Sequence, residues 1–98
     1  MSKIITLLGS TGSIGTQSLD VIRAQGYQVF GLSAHRQVET LLRQIEEFHP
    51  KVVCMTDPEA AAQLDRALAG RANAPRLLTG AEGLRQLAAL DGPDVVLN

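Results

Sequence analysis

Apolar positions in this chain follow two alternating rhythms: short runs that are apolar at nearly every residue, and longer stretches where they recur every third or fourth. Lys3–Leu8 is a run of the first kind, carrying Ile4, Ile5, Leu7 and Leu8. It suits a parallel strand covered on both faces better than a half-wet strand. From Ser13 to about Gln25, Ile14, Ser18, Val21 and Ile22 share one helical face, and Gly26 supplies the stop. Tyr27–Ser33 predicts a second strand on Val29, Phe30 and Leu32. Val38, Leu41, Leu42, Ile45 and Phe48 then keep helical spacing until His49-Pro50 breaks it. Lys51–Met55 predicts a third strand. Asp57-Pro58-Glu59 offers a capping oxygen, a proline at the first helical position and an acid in the first turn. The helix it opens runs to about Leu68 on Ala61, Leu64 and Leu68. Beyond the polar connector Gly70–Pro75, Arg76–Leu78 predicts a short strand. Thr79-Gly80-Ala81-Glu82 has the spacing of a capping box, opening a helix with Leu84, Leu87 and Ala88 inward. Gly92-Pro93 ends that helix, and Asp94–Leu97 predicts a fifth strand.

Strict alternation of strand and helix predicts an α/β fold, a Rossmann-like doubly wound parallel sheet with right-handed crossovers. Such sheets take ligands beyond the carboxyl ends of their strands. The chain stops at Asn98, at the tip of an apolar strand with no helix after it. The sheet is therefore expected to be truncated after the fifth strand, with residues 1–98 the front portion of a longer enzyme.

Composition narrows the partners. At 98 residues and 45% apolar content the chain can build one small globular core. A formal net charge of −1 gives no electrostatic footprint for nucleic acid or an anionic membrane. With Cys54 its single cysteine, the chain has neither a disulfide framework nor a cysteine-rich metal site. Met1-Ser2-Lys3 leads straight into a strand-length run rather than a signal peptide, and no stretch approaches the roughly 20 apolar residues of a membrane span. A cytoplasmic location is the expectation.

The candidate chemistry sits directly after the first strand, in Gly9-Ser10-Thr11-Gly12-Ser13-Ile14-Gly15. A strand that breaks into a glycine turn and reopens as a helix leaves unpaired N–H groups facing outward, and the helix dipole favours an anion there. The spacing is G-x-x-G-x-x-G rather than the commoner G-x-G-x-x-G. Gly9 permits the sharp exit from the strand, Gly12 lets the backbone approach a phosphate, and Gly15 lets the helix pack closely. The hydroxyls of Thr11 and Ser13 are placed to reach phosphate oxygens or to cap the helix. This context, strand before and helix after, points to a dinucleotide pyrophosphate.

After the second strand, an NAD-selective site would carry an acid for the ribose 2′-hydroxyl. Here the sequence reads Ser33-Ala34-His35-Arg36-Gln37. With no acid and a permanent cation at Arg36, a 2′-phosphate and hence NADP is favoured, with Ser33 as a further donor. The plainer reading leaves Arg36 a solvated residue and His35 either solvated or against the adenine. Elsewhere His49 reads as a helix-end residue, Cys54 as an inert core thiol, and Asp57 as a cap. Asp20, Glu46 and Glu47 read as solvated faces, and Asp91 and Asp94 as flanks of a turn. No catalytic residue and no metal site is found.

The run L-G-S-T-G-S-I-G-T-Q-S-L-D-V-I at Leu8–Ile22 resembles the start of 1-deoxy-D-xylulose 5-phosphate reductoisomerases. The likeness continues through Gly31-Leu32-Ser33-Ala34, a basic residue, and Gln44-x-x-Glu47-Phe48-x-Pro50. The resemblance implies an NADPH-dependent enzyme of the non-mevalonate isoprenoid route, with Thr11, Gly12, Ser13 and Ile14 on the cofactor and Arg36 on its 2′-phosphate. It also implies that His35, where the family usually has glycine, and Gln37, where it has asparagine, depart from the pattern. The metal (Mg²⁺ or Mn²⁺) with its carboxylates, the sugar-phosphate site and a lid are expected downstream of Asn98, in a homodimeric whole. Two other readings stand beside it: an NADP oxidoreductase of the aspartate-semialdehyde dehydrogenase type, and a nucleotide-sensing module without catalysis.

Overall fold

A computed structural model describes residues 3–98, so the leading Met1-Ser2 lies outside it. The strands are β1 (Ile4–Leu7), β2 (Gln28–Ala34), β3 (Val52–Met55), β4 (Arg76–Thr79) and β5 (Val95–Leu97). The helices between them are α1 (Ser13–Gln25), α2 (Val38–Phe48), α3 (Pro58–Leu68) and α4 (Gly80–Ala89). The five strands are parallel in the order β4-β3-β2-β1-β5, the doubly wound Rossmann-like α/β arrangement that the alternation predicts.

Strand order fixes which face each helix covers. Stepping from β1 to β4 in one direction by right-handed crossovers puts α1, α2 and α3 on one face. Their buried residues Leu19, Ile22, Leu41, Ile45 and Leu64 pack with Ile5, Leu7, Leu32 and Val53. Returning from β4 past β1 to β5 reverses the winding, so α4 lies on the other face, where Leu87 and Leu84 pack with Val52, Cys54 and Leu78. The reversal leaves a crevice between β1 and β5. There Asp94 pins the new strand twice, its N–H to the Ile4 carbonyl at 2.7 Å and its carboxylate to the Ile4 N–H at 2.9 Å. Asp94 is therefore a register lock as well as a turn residue.

Of the two helix starts with a capping signal, one departs from the sequence reading. Asp57 caps α3 as expected, accepting from the Ala60 N–H at 3.0 Å. At α4, Thr79 is the N-cap but makes no side-chain capping bond, so the expected capping box does not form. Helix faces also differ. In α1 the buried residues are Gly15, Leu19 and Ile22, whereas Ile14 is 76% and Val21 58% exposed. In α4, Gly83 and Leu87 are buried and Ala88 is exposed. In both, a close backbone approach, of Gly15 onto the turn at Gly9-Ser10 and of Gly83 onto Leu78 of β4, turns the glycine face inward and rotates neighbouring apolar residues out.

Candidate functional site: the glycine turn at the strand reversal

The turn leaves β1 through Gly9, whose φ of 73° lies in the left-handed region that glycine adopts without strain. In the first turn of α1 stands Gly15, where an added Cβ would fall 2.1 Å from the Gly9 carbonyl oxygen. Only a bare backbone permits so close a return of helix onto turn.

Gly12 is different. It is the N-cap of α1 with φ −78°, and an added Cβ would meet only the Gly9 oxygen, at 4.0 Å. Nothing inside the protein demands glycine there. Among the described residues none accepts from the N–H groups of Thr11, Gly12, Ser13 or Ile14, and no side chain caps the helix. Thr11 and Ser13 thus do not cap through their hydroxyls. Beside the turn, Leu8, Gly9, Ile14, Ser18, Leu97 and Asn98 help to line a groove of about 270 Å³ at the β1–β5 reversal. A larger groove, about 550 Å³, lies by the opposite strand ends near Tyr27, His49 and Lys51, away from the glycine turn.

The residues after β2 stand beside the turn. Ser33 is buried, its hydroxyl accepting from the Gly9 N–H at 2.8 Å and its carbonyl from the Ser10 N–H at 2.8 Å. It therefore holds the turn rather than projecting toward a ligand, as the sequence reading had it. His35, Arg36 and Gln37 are all exposed. His35 Nδ1 lies 2.7 Å from the Thr56 hydroxyl, and Arg36 Nη2 lies 3.4 Å from His35 Nε2. A guanidinium only donates, so His35 Nε2 is the acceptor and Nδ1–H donates to the Thr56 hydroxyl. Arg36 has no carboxylate partner among the described residues. Gln37 is the N-cap of α2 without a side-chain capping bond.

Other titratable groups are structural. His49 is the left-handed C-cap of α2, φ 51°, and Cys54 is fully buried, which pushes its thiol pKa up. Glu46 and Glu47 are exposed but paired, to Arg71 at 3.1 Å and to Arg23. No three His, Cys, Asp or Glu side chains among the described residues gather to hold a metal ion. Nor is any described helix long and apolar enough to cross a membrane. The spacing did not reveal Ser10 and Gln44, buried together behind the turn. Gln44 fell on a helix face otherwise read as core, and its polarity there was the available signal.

Comparison with known proteins agrees with this geometry. The sequence model of 1-deoxy-D-xylulose 5-phosphate reductoisomerase matches residues 5–98. A relative of that name from Thermosynechococcus vestitus is 42% identical over 97 residues, which cover 97% of this chain and 24% of the relative. One from Thermoanaerobacter sp. is 44% identical over 99 aligned positions, covering 99% of this chain and 25% of the relative. The chain thus spans about a quarter of the length of these relatives. Among solved structures, the Zymomonas mobilis reductoisomerase in complex with NADPH superposes with a TM-score of 0.85 at 34% identity, over 98% of this chain and 25% of that one. A DOX-P reductoisomerase in complex with NADPH, fosmidomycin and magnesium gives 0.87 at 33% identity, over 96% of this chain and 23% of that one. Sequence, topology and turn agree, and this chain belongs to the 1-deoxy-D-xylulose 5-phosphate reductoisomerase family.

Proposed function

We propose that residues 1–98 form the NADPH-binding segment of a reductoisomerase that rearranges and reduces 1-deoxy-D-xylulose 5-phosphate to 2-C-methyl-D-erythritol 4-phosphate. The observation that carries this reading is the row of unpartnered amides from Thr11 to Ile14, passing over a glycine that the protein itself does not require. Those amides, at the positive end of α1, suit the pyrophosphate. Gly9 and Gly12 shape the approach, and the exposed hydroxyl of Ser13 extends the row.

Arg36, without a carboxylate partner among the described residues, suits the 2′-phosphate. His35 and Gln37 flank the adenosine end, His35 braced by Thr56. Ser33 contributes from behind, by fixing Gly9. NADPH supplies hydride when bound. These residues bind and orient it, and offer no group for the rearrangement.

That step, a divalent metal (Mg²⁺ or Mn²⁺) and the sugar-phosphate site fall, on this reading, to other domains of the whole protein. So do the homodimer contacts of a cytoplasmic enzyme, which sedimentation of the full-length product tests. The chain alone is expected to show no turnover. The family match displaces the semialdehyde dehydrogenase reading. A sensing module would share the binding behaviour but not the turnover of the full-length product.

Fluorescence titration checks the cofactor assignment. NADPH should bind at least about tenfold tighter than NADH, and Arg36→Ala should remove most of that preference. Equal affinities that Arg36→Ala leaves unchanged would withdraw Arg36 from the site.

A further inference from the structure

The turn is held from behind by a side chain 34 residues further along the chain. Gln44 of α2 is 7% exposed, on a helix face it shares with Leu41 and Ile45. A carboxamide buried among apolar residues is costly unless both of its ends are bonded. Both ends go to one residue. Gln44 Nε2 donates to the Ser10 carbonyl at 2.9 Å, and Gln44 Oε1 accepts from the Ser10 hydroxyl at 2.6 Å. Ser10 is itself fully buried, and its N–H is taken by the Ser33 carbonyl.

The consequence follows from peptide geometry. The Ser10 carbonyl and the Thr11 N–H belong to the same planar peptide unit, and in a trans unit they point in opposite directions. A carbonyl drawn inward by Gln44 therefore aims the Thr11 N–H outward. We propose that Gln44 is a positioning residue for nucleotide binding, acting through Ser10 to hold the first amide of the row toward the pyrophosphate. This rests on the NADPH reading above.

The test uses the 98-residue chain with two probes, NADPH and adenosine 2′-monophosphate, which carries the 2′-phosphate but no pyrophosphate. Folded Gln44→Met should bind NADPH about tenfold more weakly and adenosine 2′-monophosphate unchanged. Ser10→Ala keeps the Nε2–carbonyl bond and should lose clearly less. Wild-type NADPH affinity in folded Gln44→Met, or equal loss for both probes, overturns the proposal. Should Gln44→Met not fold, the wild-type chain decides by NMR. Its Thr11 amide proton should move downfield with NADPH and stay in place with adenosine 2′-monophosphate, and a Thr11 amide unmoved by NADPH refutes the role. Failure of wild type to bind NADPH at all instead removes the cofactor reading on which the proposal stands.

Discussion

Two glycines three positions apart in the turn answer to different neighbours. An added Cβ on Gly15 would collide with the Gly9 carbonyl at 2.1 Å and with Ser10 backbone at 2.8 Å. Gly15→Ala should therefore cost about 3 kcal/mol or more, read as a loss of thermal stability. Gly12 has room, with its nearest atom 4.0 Å away. Gly12→Ala should change stability by no more than about 0.5 kcal/mol while weakening NADPH at least about tenfold, because on the proposed reading the new methyl stands where a phosphate approaches. Retained affinity in Gly12→Ala would move the pyrophosphate off this turn. A third residue carries a flaw of another kind. The Thr6 hydroxyl oxygen is buried and has no hydrogen-bond partner among the described residues. Thr6→Val removes an orphaned hydroxyl at nearly constant shape, and calorimetry should show a gain of about 1 kcal/mol, some 4–8 °C in Tm. The glycine spacing was legible in the sequence. The spacing also gave Gly15 to close packing and Gly12 to the ligand's approach; how little room Gly15 has is a distance to Gly9 and Ser10 that no spacing contains.

At the scale of elements, the two expected helix starts behave differently although both read well locally. Asp57 bonds the Ala60 N–H, with Pro58 opening α3. Asp57→Ala should cost about 1 kcal/mol in chemical denaturation, and Thr79→Ala at the head of α4 less than about 0.5 kcal/mol, since Thr79 caps nothing. The two values reversed would contradict the cap assignment. All nine elements among the described residues, and their order, were legible, because each period is imposed by burial on one face or both. Helix rotation was not. Ile14 and Val21 read as one apolar face with Ile22, yet α1 turns Gly15, Leu19 and Ile22 inward. A periodicity count gives glycine no weight, whereas packing gives it the closest approach.

Across the whole molecule, Arg23 joins α1 to α2. Its Nε and Nη2 donate to the two carboxylate oxygens of Glu47, the latter at 2.8 Å, while the guanidinium lies 5.4 Å from the Phe48 ring centroid. These hydrogen bonds hold Glu47 below the ordinary carboxylate pKa. Above that ordinary value Glu47 is ionised whether folded or not, and the pair contributes in full. As pH falls past the unfolded value and through the lowered folded one, protonation removes the contribution. Thermal melts of wild type and Glu47→Gln should therefore differ most near neutral pH and converge in acid, with the gap narrowing in high salt because both side chains are exposed. A gap that widens in acid would show the opposite linkage. The sequence by itself determined the alternation of strands and helices, the glycine turn after β1, the missing acid after β2 and the cation at Arg36, because each is a local pattern read within one segment. Tertiary structure alone decided the inward rotation of α1 and the recruitment of Ser33 and Gln44 to hold Ser10. Those depend on which segments the sheet brings into contact, and contact at hydrogen-bond range is a property of the fold rather than of any stretch of chain.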